Sequence, residues 1–493
     1  MAEQNNPPAD LKLKTARSIK WNTIDRVSTQ LLYAVVGIVL ANILSEKDFG
    51  LVGLLLGFQA FANLFVDSGF GTALLQKKDP TEDDYSTVFW FNLSMSLIIY
   101  VALFFCAPLI ARTFHNELIL IPLSRVLFLT FVLNALSIVQ TNRLMKRMDV
   151  RQLAVANSLG LFLSGIAGVW MALTGWGVWA LVWQYVLLAA VKTAWLWITG
   201  KWIPRMRFRL DSLRHIFRVG ISVFSSSMLN TVCLQIYTFV IGALNFNLLG
   251  VYTQADKWSK MPSASLSQIF TASFVPLLSK VQDDSATFHR YMRKATRFTG
   301  FILFPAMAGI AVIGAPLFHT LFGNKWDAAI PIFQILTIRG IFIVLFSLPY
   351  NFILSIGAAR HIFQTEVMKD VLTLIAIIST MWTGNLTLIV WGQFAASALT
   401  FFVMLRTASK VTGYPAASIL VDLLPSLLIS AAMTVPALLC MTLISAPAAQ
   451  LAAMVAAGGA AYIILAKLFR LPELSEAASY LLGRFRKKPS GNS

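Results

Sequence analysis

The chain has 493 residues, of which 57% are hydrophobic and 13% are charged, and its formal net charge is +18. Its mean hydropathy is +0.70, and its 36 phenylalanines outnumber its 22 aspartates and glutamates together. Because a soluble fold of this size needs far more polar surface, the composition excludes a soluble globular protein and indicates a membrane protein.

About fourteen apolar blocks are long enough to cross a hydrocarbon core of roughly 30 Å as helices. A closed barrel would show alternation over segments of about 10 residues instead, so the predicted fold class is all-α. The first block begins with Asn22, Asp25 and Arg26 and lacks a cleavage pattern, so it is expected to remain in the mature protein. The predicted spans are residues 19–44, 49–67, 87–111, 118–141, 152–174, 177–199, 216–243, 248–279, 298–322, 327–356, 362–383, 386–405, 415–444 and 449–469.

Lysine and arginine are distributed unevenly between the connections of these spans. With the N-terminus in the cytoplasm, 31 of the 40 basic residues lie in cytoplasmic segments, whereas the opposite connections hold only Lys47, Arg112 and Lys325. This asymmetry follows the positive-inside rule and predicts an even number of spans with both termini cytoplasmic. It also accounts for the net charge, because the basic residues face anionic headgroups. No aromatic-basic module accompanies them, so nucleic acid is not a predicted partner.

An internal repeat divides the chain. A shift of 200 residues places LANILSEKDFGLV (residues 40–52) over VIGALNFNLLGVY (residues 240–252), and a shift of 214 superposes Arg125 on Arg339. Such a repeat of six spans predicts two lobes related by a pseudo-two-fold axis along the membrane normal, with chance similarity of apolar segments as the alternative. The predicted organisation is a cytoplasmic segment (1–18), an N-lobe of six helices (19–199), a basic linker (200–215), a C-lobe of six helices (216–405), two additional helices (415–469) and a basic cytoplasmic tail (470–493).

The connections leave no room for a soluble catalytic domain. The sequence contains no G-x-x-x-x-G-K-[ST] phosphate loop, no H-E-x-x-H and no zinc-type spacing of cysteine and histidine. Cys106, Cys233 and Cys440 lie in three different spans and are expected to be small core residues. The sequence therefore predicts no enzymatic activity, no cofactor and no metal.

Six of the 40 basic residues remain after those of the connections and of the cytoplasmic span ends are assigned, and they lie within the spans, where a charge at a helix centre costs about 2.5–3.5 kcal/mol on insertion scales. Such residues face a wet cavity or a partner, and a cationic cavity suits an anionic substrate. Lys192 is near the inner end of its span and is interpreted as reaching toward the membrane interface. The other five are the candidate substrate-binding residues: Arg26, Arg125, Lys257, Lys260 and Arg339.

The stretch from Thr253 to Ser267 gives the clearest pattern. Asp256, Lys257 and Lys260 recur at helical spacing with serines and a threonine, so they are predicted to share one polar helix face. At 1.5 Å per residue from Leu248, the two lysines lie roughly 14 to 18 Å deep.

The acidic neighbours leave two interpretations open. Asp25, Asp256 and Asp422 are candidates for ion coupling, and no spacing singles one out. Asp25 and Asp256 alternatively balance Arg26 and the two lysines as structural pairs. Asp256 alone cannot balance both lysines. For Arg125 and Arg339, structural and substrate-binding roles are equally open.

Five segments of the chain carry recognisable motifs: LANILSEKDFGLVGL, VDSGFGTALLQKK, VFWFNLSMSL, FVPLLSKVQDD and LFGNKWDAAIPIFQIL. They include the spacing D-x-G-x-x-x-x-x-x-Q-K from Asp67 and F-G-x-K-W from Phe322. With these motifs, residues 17–410 resemble the Wzx-type polysaccharide flippases, particularly the colanic acid exporter branch, of the polysaccharide transport family. That family lies in the multidrug/oligosaccharidyl-lipid/polysaccharide exporter superfamily.

The resemblance implies a non-enzymatic exporter of the bacterial inner membrane. Its lobes would open alternately to the cytoplasm and the periplasm, and its cargo would be an oligosaccharide repeat unit on undecaprenyl pyrophosphate, for lipopolysaccharide O-antigen, capsule or exopolysaccharide. The lipid bilayer, a polysaccharide polymerase and a chain-length regulator are the corresponding candidate partners. The glycan and the driving ion stay open.

Two other classes of function were compared with this expectation. A multidrug exporter of the same superfamily would favour acidic and aromatic cavity walls, whereas the charge excess within these spans is basic. A membrane-embedded polymerase or glycosyltransferase would be expected to carry a substantial outside loop with catalytic residues. The multidrug exporter is kept as the alternative.

Overall fold

The structure is a computed structural model that describes residues 9–67, 74, 77, 79–206, 228 and 230–476. Within these residues the chain forms helices and turns and no strand, so the predicted all-α class is confirmed. The helices are α1 (Ala9–Ile43), α2 (Glu46–Asp67), α3 (Glu82–Thr113), α4 (Leu120–Leu127), α5 (Leu129–Lys146), α6 (Val150–Leu173), α7 (Val178–Gly200), α8 (Asn230–Leu244), α9 (Phe246–Ser279), α10 (Ser285–Val312), α11 (Gly314–Phe322), α12 (Ala329–Ser355), α13 (Ala359–Met381), α14 (Leu386–Thr412), α15 (Ala416–Leu443) and α16 (Pro447–Leu468).

The predicted spans coincide with these helices, with the seventh described only over its second half. Two spans are divided, at Phe128 between α4 and α5 and at Ile313 between α10 and α11. Ten stretches in the described part of the chain are long and apolar enough to cross a membrane. The protein is therefore a multi-pass membrane protein, while the predicted count of fourteen spans is not confirmed.

Helix α10 begins well before the apolar block that predicted it. The Asp284 carboxylate accepts hydrogen bonds from the backbone N–H groups of Ala286 and Thr287, at 3.1 and 3.2 Å, and so caps the helix. The hydrogen bonds from Thr287 are the main reason that the pKa of Asp284 is lowered. The capped extension carries four basic residues: Arg290, Arg293, Lys294 and Arg297.

The described residues up to Gly250 form one compact unit, and those from Val251 onward form a second. In the first unit, α6 packs between α1 and α7 through three glycines. A Cβ atom at Gly165 would lie 2.5 Å from a methyl group of Val36, and one at Gly160 would lie 3.2 Å from the Leu188 carbonyl oxygen. Small residues allow this close approach, which drives helix association in a membrane. The predicted lobe boundaries stay a prediction.

The first residues of the predicted linker lie against α3. The Trp202 indole donates a 2.7 Å hydrogen bond to Glu82, which also accepts from Arg143 at 2.9 Å. The Arg205 backbone N–H donates to the Ser86 hydroxyl, and its carbonyl accepts from the Trp90 indole. These contacts fix residues 201–206 to the first unit, while the rest of the linker lies outside the described residues.

In the second unit, the two additional C-terminal helices are fastened to α10 through Asp422 of α15. Its buried carboxylate accepts hydrogen bonds from Arg293 at 3.1 Å, Arg297 at 2.8 Å and the Tyr414 hydroxyl at 3.1 Å. Because the carboxylate itself is buried, these three donors offset the cost of removing its charge from water. Asp422 is therefore an anchor between helices α10 and α15.

A close crossing joins the first turn of α2 to the first turn of α9. A Cβ atom at Gly50 would lie 1.9 Å from the Phe246 carbonyl oxygen, and one at Gly250 would lie 1.9 Å from the Glu46 carbonyl oxygen. Real Cβ atoms do not approach this closely, so only glycine fits at either position. The contact is reciprocal, because each glycine touches the residue four positions before the other glycine. The 200-residue shift of the sequence repeat superposes the same two pairs.

Candidate functional site

The first unit contains a polar cavity of about 410 Å³ among helices α1, α2, α5, α6 and α7. Amide and hydroxyl side chains dominate its lining, although the surrounding helices are strongly apolar. Burying such groups is costly unless they find partners, so their concentration at one place marks a candidate binding site. The lining residues are Thr29, Gln30, Tyr33, Gln59, Thr130, Asn134, Asn157, Leu161, Tyr185, Leu188, Ala189 and Lys192.

Asp25 and Lys192 form the charged end of this cavity region. The Asn157 amide donates to the Asp25 carboxylate at 3.2 Å, and Lys192 attracts the same carboxylate electrostatically. Lys192 lines the cavity and is only partly exposed, so the interpretation that it reaches toward the membrane interface is wrong. The reason is that Asp25 provides an opposite charge 167 positions earlier in the chain, which no local pattern around Lys192 indicates.

Hydrogen bonds organise the opposite wall of the cavity. The Gln59 amide donates to the Thr130 hydroxyl at 2.9 Å, and Thr130 donates to the Leu127 carbonyl oxygen at 2.7 Å. The Gln59 side-chain oxygen is buried and accepts no hydrogen bond from any group that the structure describes. The hydroxyl groups of Tyr33 and Tyr185 are hydrogen bonded to each other. One buried acceptor on this wall is therefore available to a bound molecule or water.

In the second unit, α9 carries the predicted charged stretch. Lys260 forms an ion pair with Asp256 at 2.5 Å, which is the contact that the charge-balancing interpretation predicts, and the role of this aspartate stays a prediction. The Lys260 side chain is 53% exposed, and an ion pair with so much solvent contributes little stability, about 0–1 kcal/mol. The Lys257 ammonium lies 5.5 Å from the centre of the Trp258 ring. The two lysines thus have different surroundings although they were predicted to share one face.

Arg339 of α12 is connected to α9 by a chain of hydrogen bonds. Its Nε donates to the Ser397 hydroxyl at 2.9 Å, and that hydroxyl donates to the Gln393 carbonyl oxygen at 3.0 Å. The Gln393 amide donates to the Tyr252 hydroxyl at 3.1 Å, one helical turn before Asp256. The structure therefore brings Arg339 into the same group of packed helices as the charged stretch of α9.

Arg125 and Arg26 are not among the residues that line the cavity of the first unit. The Arg125 guanidinium lies 4.1 Å from the centre of the Phe104 ring, and its Nε donates to the Phe104 carbonyl oxygen at 3.4 Å. These contacts hold it against α3 and favour its structural role. Arg26 is exposed on α1, next to Asp25. Its predicted role in binding the substrate stays a prediction.

Reasoning from charge alone missed the four amide residues of the cavity: Gln30, Gln59, Asn134 and Asn157. A signal for them exists in the sequence, because amide side chains within apolar spans are costly unless they are hydrogen bonded. In the described part of the chain, no group of three histidine, cysteine, aspartate or glutamate side chains could hold a metal ion.

The sequence of this chain is similar to one protein family and to several known proteins, and its fold is similar to that of a solved structure. Residues 39–331, more than half of the chain, match the family model described as polysaccharide biosynthesis protein. Teichuronic acid biosynthesis protein TuaB of Bacillus subtilis (strain 168) is 26% identical over 78% of this chain and 80% of its own length. Lipopolysaccharide biosynthesis protein WzxC of Escherichia coli (strain K12) is 27% identical over 67% of this chain and 68% of its own length.

Among solved structures, the lipid II flippase MurJ in an inward closed conformation has a similar fold. Its TM-score is 0.77, at 16% sequence identity, over 92% of this chain and 98% of that chain. At this identity the likeness concerns the fold alone, and it supports an all-helical membrane fold.

Proposed function

The chain belongs to the polysaccharide biosynthesis protein family, and on this premise we propose that it is a lipid-linked oligosaccharide flippase. It would move undecaprenyl-pyrophosphate-linked repeat units from the cytoplasmic to the periplasmic leaflet of a bacterial inner membrane. Curated relatives with roughly a quarter identity act in the biosynthesis of teichuronic acid and lipopolysaccharide, according to their names. The observation that carries the proposal is a polar cavity within a multi-pass helical protein of this family.

Alternating access without chemical conversion of the cargo is the proposed mechanism. A diphosphate with about two negative charges moves down the electrical gradient when it leaves a cell whose inside is negative, and this transfer is favourable by about 2.3 kcal/mol per charge per 100 mV. The membrane potential could therefore bias transport, and Asp25 and Asp256 are the proposed residues for coupling to an ion. A polysaccharide polymerase and a chain-length regulator are proposed as partners that receive the exported unit.

The basic residues of the spans would hold the diphosphate during passage. Lys257 and Lys260 are proposed as its main contacts, with Arg339 and Arg26 supplying further positive charge. Lysine is suited to this role because its compact ammonium group rotates freely and can follow a moving phosphate. The contacts of Arg125 with Phe104 support a role in packing instead.

Deletion of the gene tests the proposed function. We expect the surface glycan to be lost and its lipid-linked repeat unit to accumulate in the cytoplasmic leaflet, because nothing else would carry the unit across. Both quantities can be measured on extracted glycans and lipids, with a plasmid-borne copy of the gene as the control. An unchanged surface glycan together with lost resistance to cationic dyes would support the multidrug exporter instead.

The orientation of the chain can be tested by cysteine labelling in a background without Cys106, Cys233 and Cys440. Asn324, exposed in the turn between α11 and α12, is expected to react with an impermeant maleimide from the periplasmic side. Ser285, exposed at the start of α10, is expected to react only after the membrane is permeabilised. Ser212 was predicted to behave like Ser285 and lies outside the described residues. Labelling of Ser285 in intact cells would contradict cytoplasmic termini.

A further inference from the structure

The cavity of the first unit is larger than an ion or a single water requires. A water molecule occupies about 30 Å³ in the liquid, and ligand pockets usually start near 300 Å³. At about 410 Å³, the cavity has room for a compact organic group of the size of a sugar ring. Its size therefore argues against a site for a bare coupling ion.

The lining groups have the chemistry that recognises hydroxyl groups. Gln30, Gln59 and Asn134 present amides, and Thr29 and Tyr33 present hydroxyls. Amides and hydroxyls each both donate and accept hydrogen bonds, so together they match a ring that carries several neighbouring hydroxyls. The buried Gln59 oxygen, which accepts nothing in the described part of the chain, gives such a ring a specific acceptor.

The charges at the cavity do not suit a diphosphate. Lys192 is the basic residue of the lining, and the attraction between it and Asp25 offsets its charge. Asp25 is in turn held by the Asn157 amide at 3.2 Å. The Asp25 carboxylate, next to that lysine, would repel a diphosphate with about two negative charges. An uncharged sugar ring would instead contact mainly the dipoles of amide and hydroxyl groups.

From size, lining and charge together, we propose that this cavity is a glycan subsite that binds an uncharged sugar ring of the cargo. The inference rests on the proposed flippase function and adds a place where the sugar is recognised separately from the diphosphate. Selection among repeat units would then depend on the amide side chains of Gln30, Gln59 and Asn134. A buried amide that finds no hydrogen-bond partner on the bound sugar is costly, whereas an amide that finds one is not.

Binding of defined lipids to the full-length protein tests the subsite. The probes are undecaprenyl pyrophosphate alone and the same lipid carrying one hexose or one N-acetylhexosamine, with bound fractions measured by native mass spectrometry. We expect wild-type protein to bind at least one glycosylated lipid about tenfold more tightly than the bare lipid. A difference of this size corresponds to the contribution of about one hydrogen bond. Asn134→Leu should reduce this preference to near unity without weakening the bare lipid.

A second variant and two controls separate the possible outcomes. Gln59→Met, which keeps an unbranched side chain, should also lose the preference if Asn134→Leu fails to fold. Asn42→Leu makes the same change at an exposed position of α1 outside the cavity and should keep the preference. Lys257→Gln should weaken bare and glycosylated lipids equally.

Two results would overturn different conclusions. If wild-type protein binds every glycosylated lipid no more tightly than the bare lipid, or if both cavity variants keep the preference, the glycan subsite is wrong while the flippase function stands. If wild-type protein binds none of these lipids, the proposed function itself fails.

Discussion

Replacing Lys257 and Lys260 together with glutamine is expected to abolish most glycan export while the protein still inserts normally. A hydrogen bond to a charged group contributes about 1.5–3 kcal/mol, so losing two such contacts to a diphosphate weakens its capture by roughly a hundredfold or more. Insertion should not suffer, because the change removes charge from within a span. Export is measured as surface glycan at matched membrane levels of the variant.

The ion pair of Lys260 with Asp256 does not prevent this role. With the lysine half exposed, the pair is worth little, and a diphosphate carrying more charge can compete with the single carboxylate. The single variant Lys257→Gln is expected to be the more harmful, because the Asp256 carboxylate already offsets part of the positive charge of Lys260.

A matched control uses two exposed lysines outside the α-helices, Lys280 and Lys325, changed to glutamine in the same protein. This variant should export normally, because neither residue lies within a predicted span. If the Lys257 and Lys260 double variant reaches the membrane and exports as fast as this control, the lysines do not hold the cargo.

Replacing Gly50 with alanine adds a single methyl group, and we expect it to lower the stability of the protein more than most substitutions of that size. The new Cβ atom would lie 1.9 Å from the Phe246 carbonyl oxygen, which belongs to the helix backbone and cannot rotate away. Overpacking of this kind usually costs about 1–3 kcal/mol, and here the two helix ends must also separate. The thermal midpoint of the purified protein should fall clearly, and Gly50→Leu should reduce the membrane level as well.

Gly459 gives a matched control, since it is a helical glycine with no neighbouring atom within 4 Å of an added Cβ. Gly459→Ala is expected to be neutral or slightly stabilising, because alanine loses less backbone entropy in a helix. Gly250→Ala should resemble Gly50→Ala, and the double variant should be little worse than either, since one separation of the helices relieves both clashes. Fully additive losses would argue that the two glycines act independently.

The positions of the helices were largely predictable, whereas their breaks and extensions were not. Apolar blocks locate spans because hydrocarbon excludes unpaired backbone groups and polar side chains. The breaks at Phe128 and Ile313 lie within continuous apolar sequence, so hydropathy gives no sign of them. The early start of α10 depends on the cap at Asp284 and lies in polar sequence that a search for apolar blocks passes over.

The candidate site was predictable in its charged residues but not in its contacts. A charge within a span is costly, so Asp25, Lys257 and Arg339 could be selected from the sequence alone. Their partners lie far away in the chain: Lys192 attracts Asp25, and Ser397 accepts from Arg339. Only the packing of helices decides these pairs, which is why Lys192 was assigned to the wrong surroundings.

The reciprocal crossing at Gly50 and Gly250 bears on how such a chain could arise. When position i of one copy meets position j of the other and position j meets position i, the contact has the form of an isologous homodimer interface. In an ancestor of half this length that formed a homodimer through this contact, one codon would have encoded the glycine on both sides. A mutation of that codon would have changed both sides of the interface. After duplication and fusion of the gene, the residues near each glycine could change independently, so that one copy could carry Glu46 and the other Phe246. The close approach of the two backbones would still require a glycine in each copy.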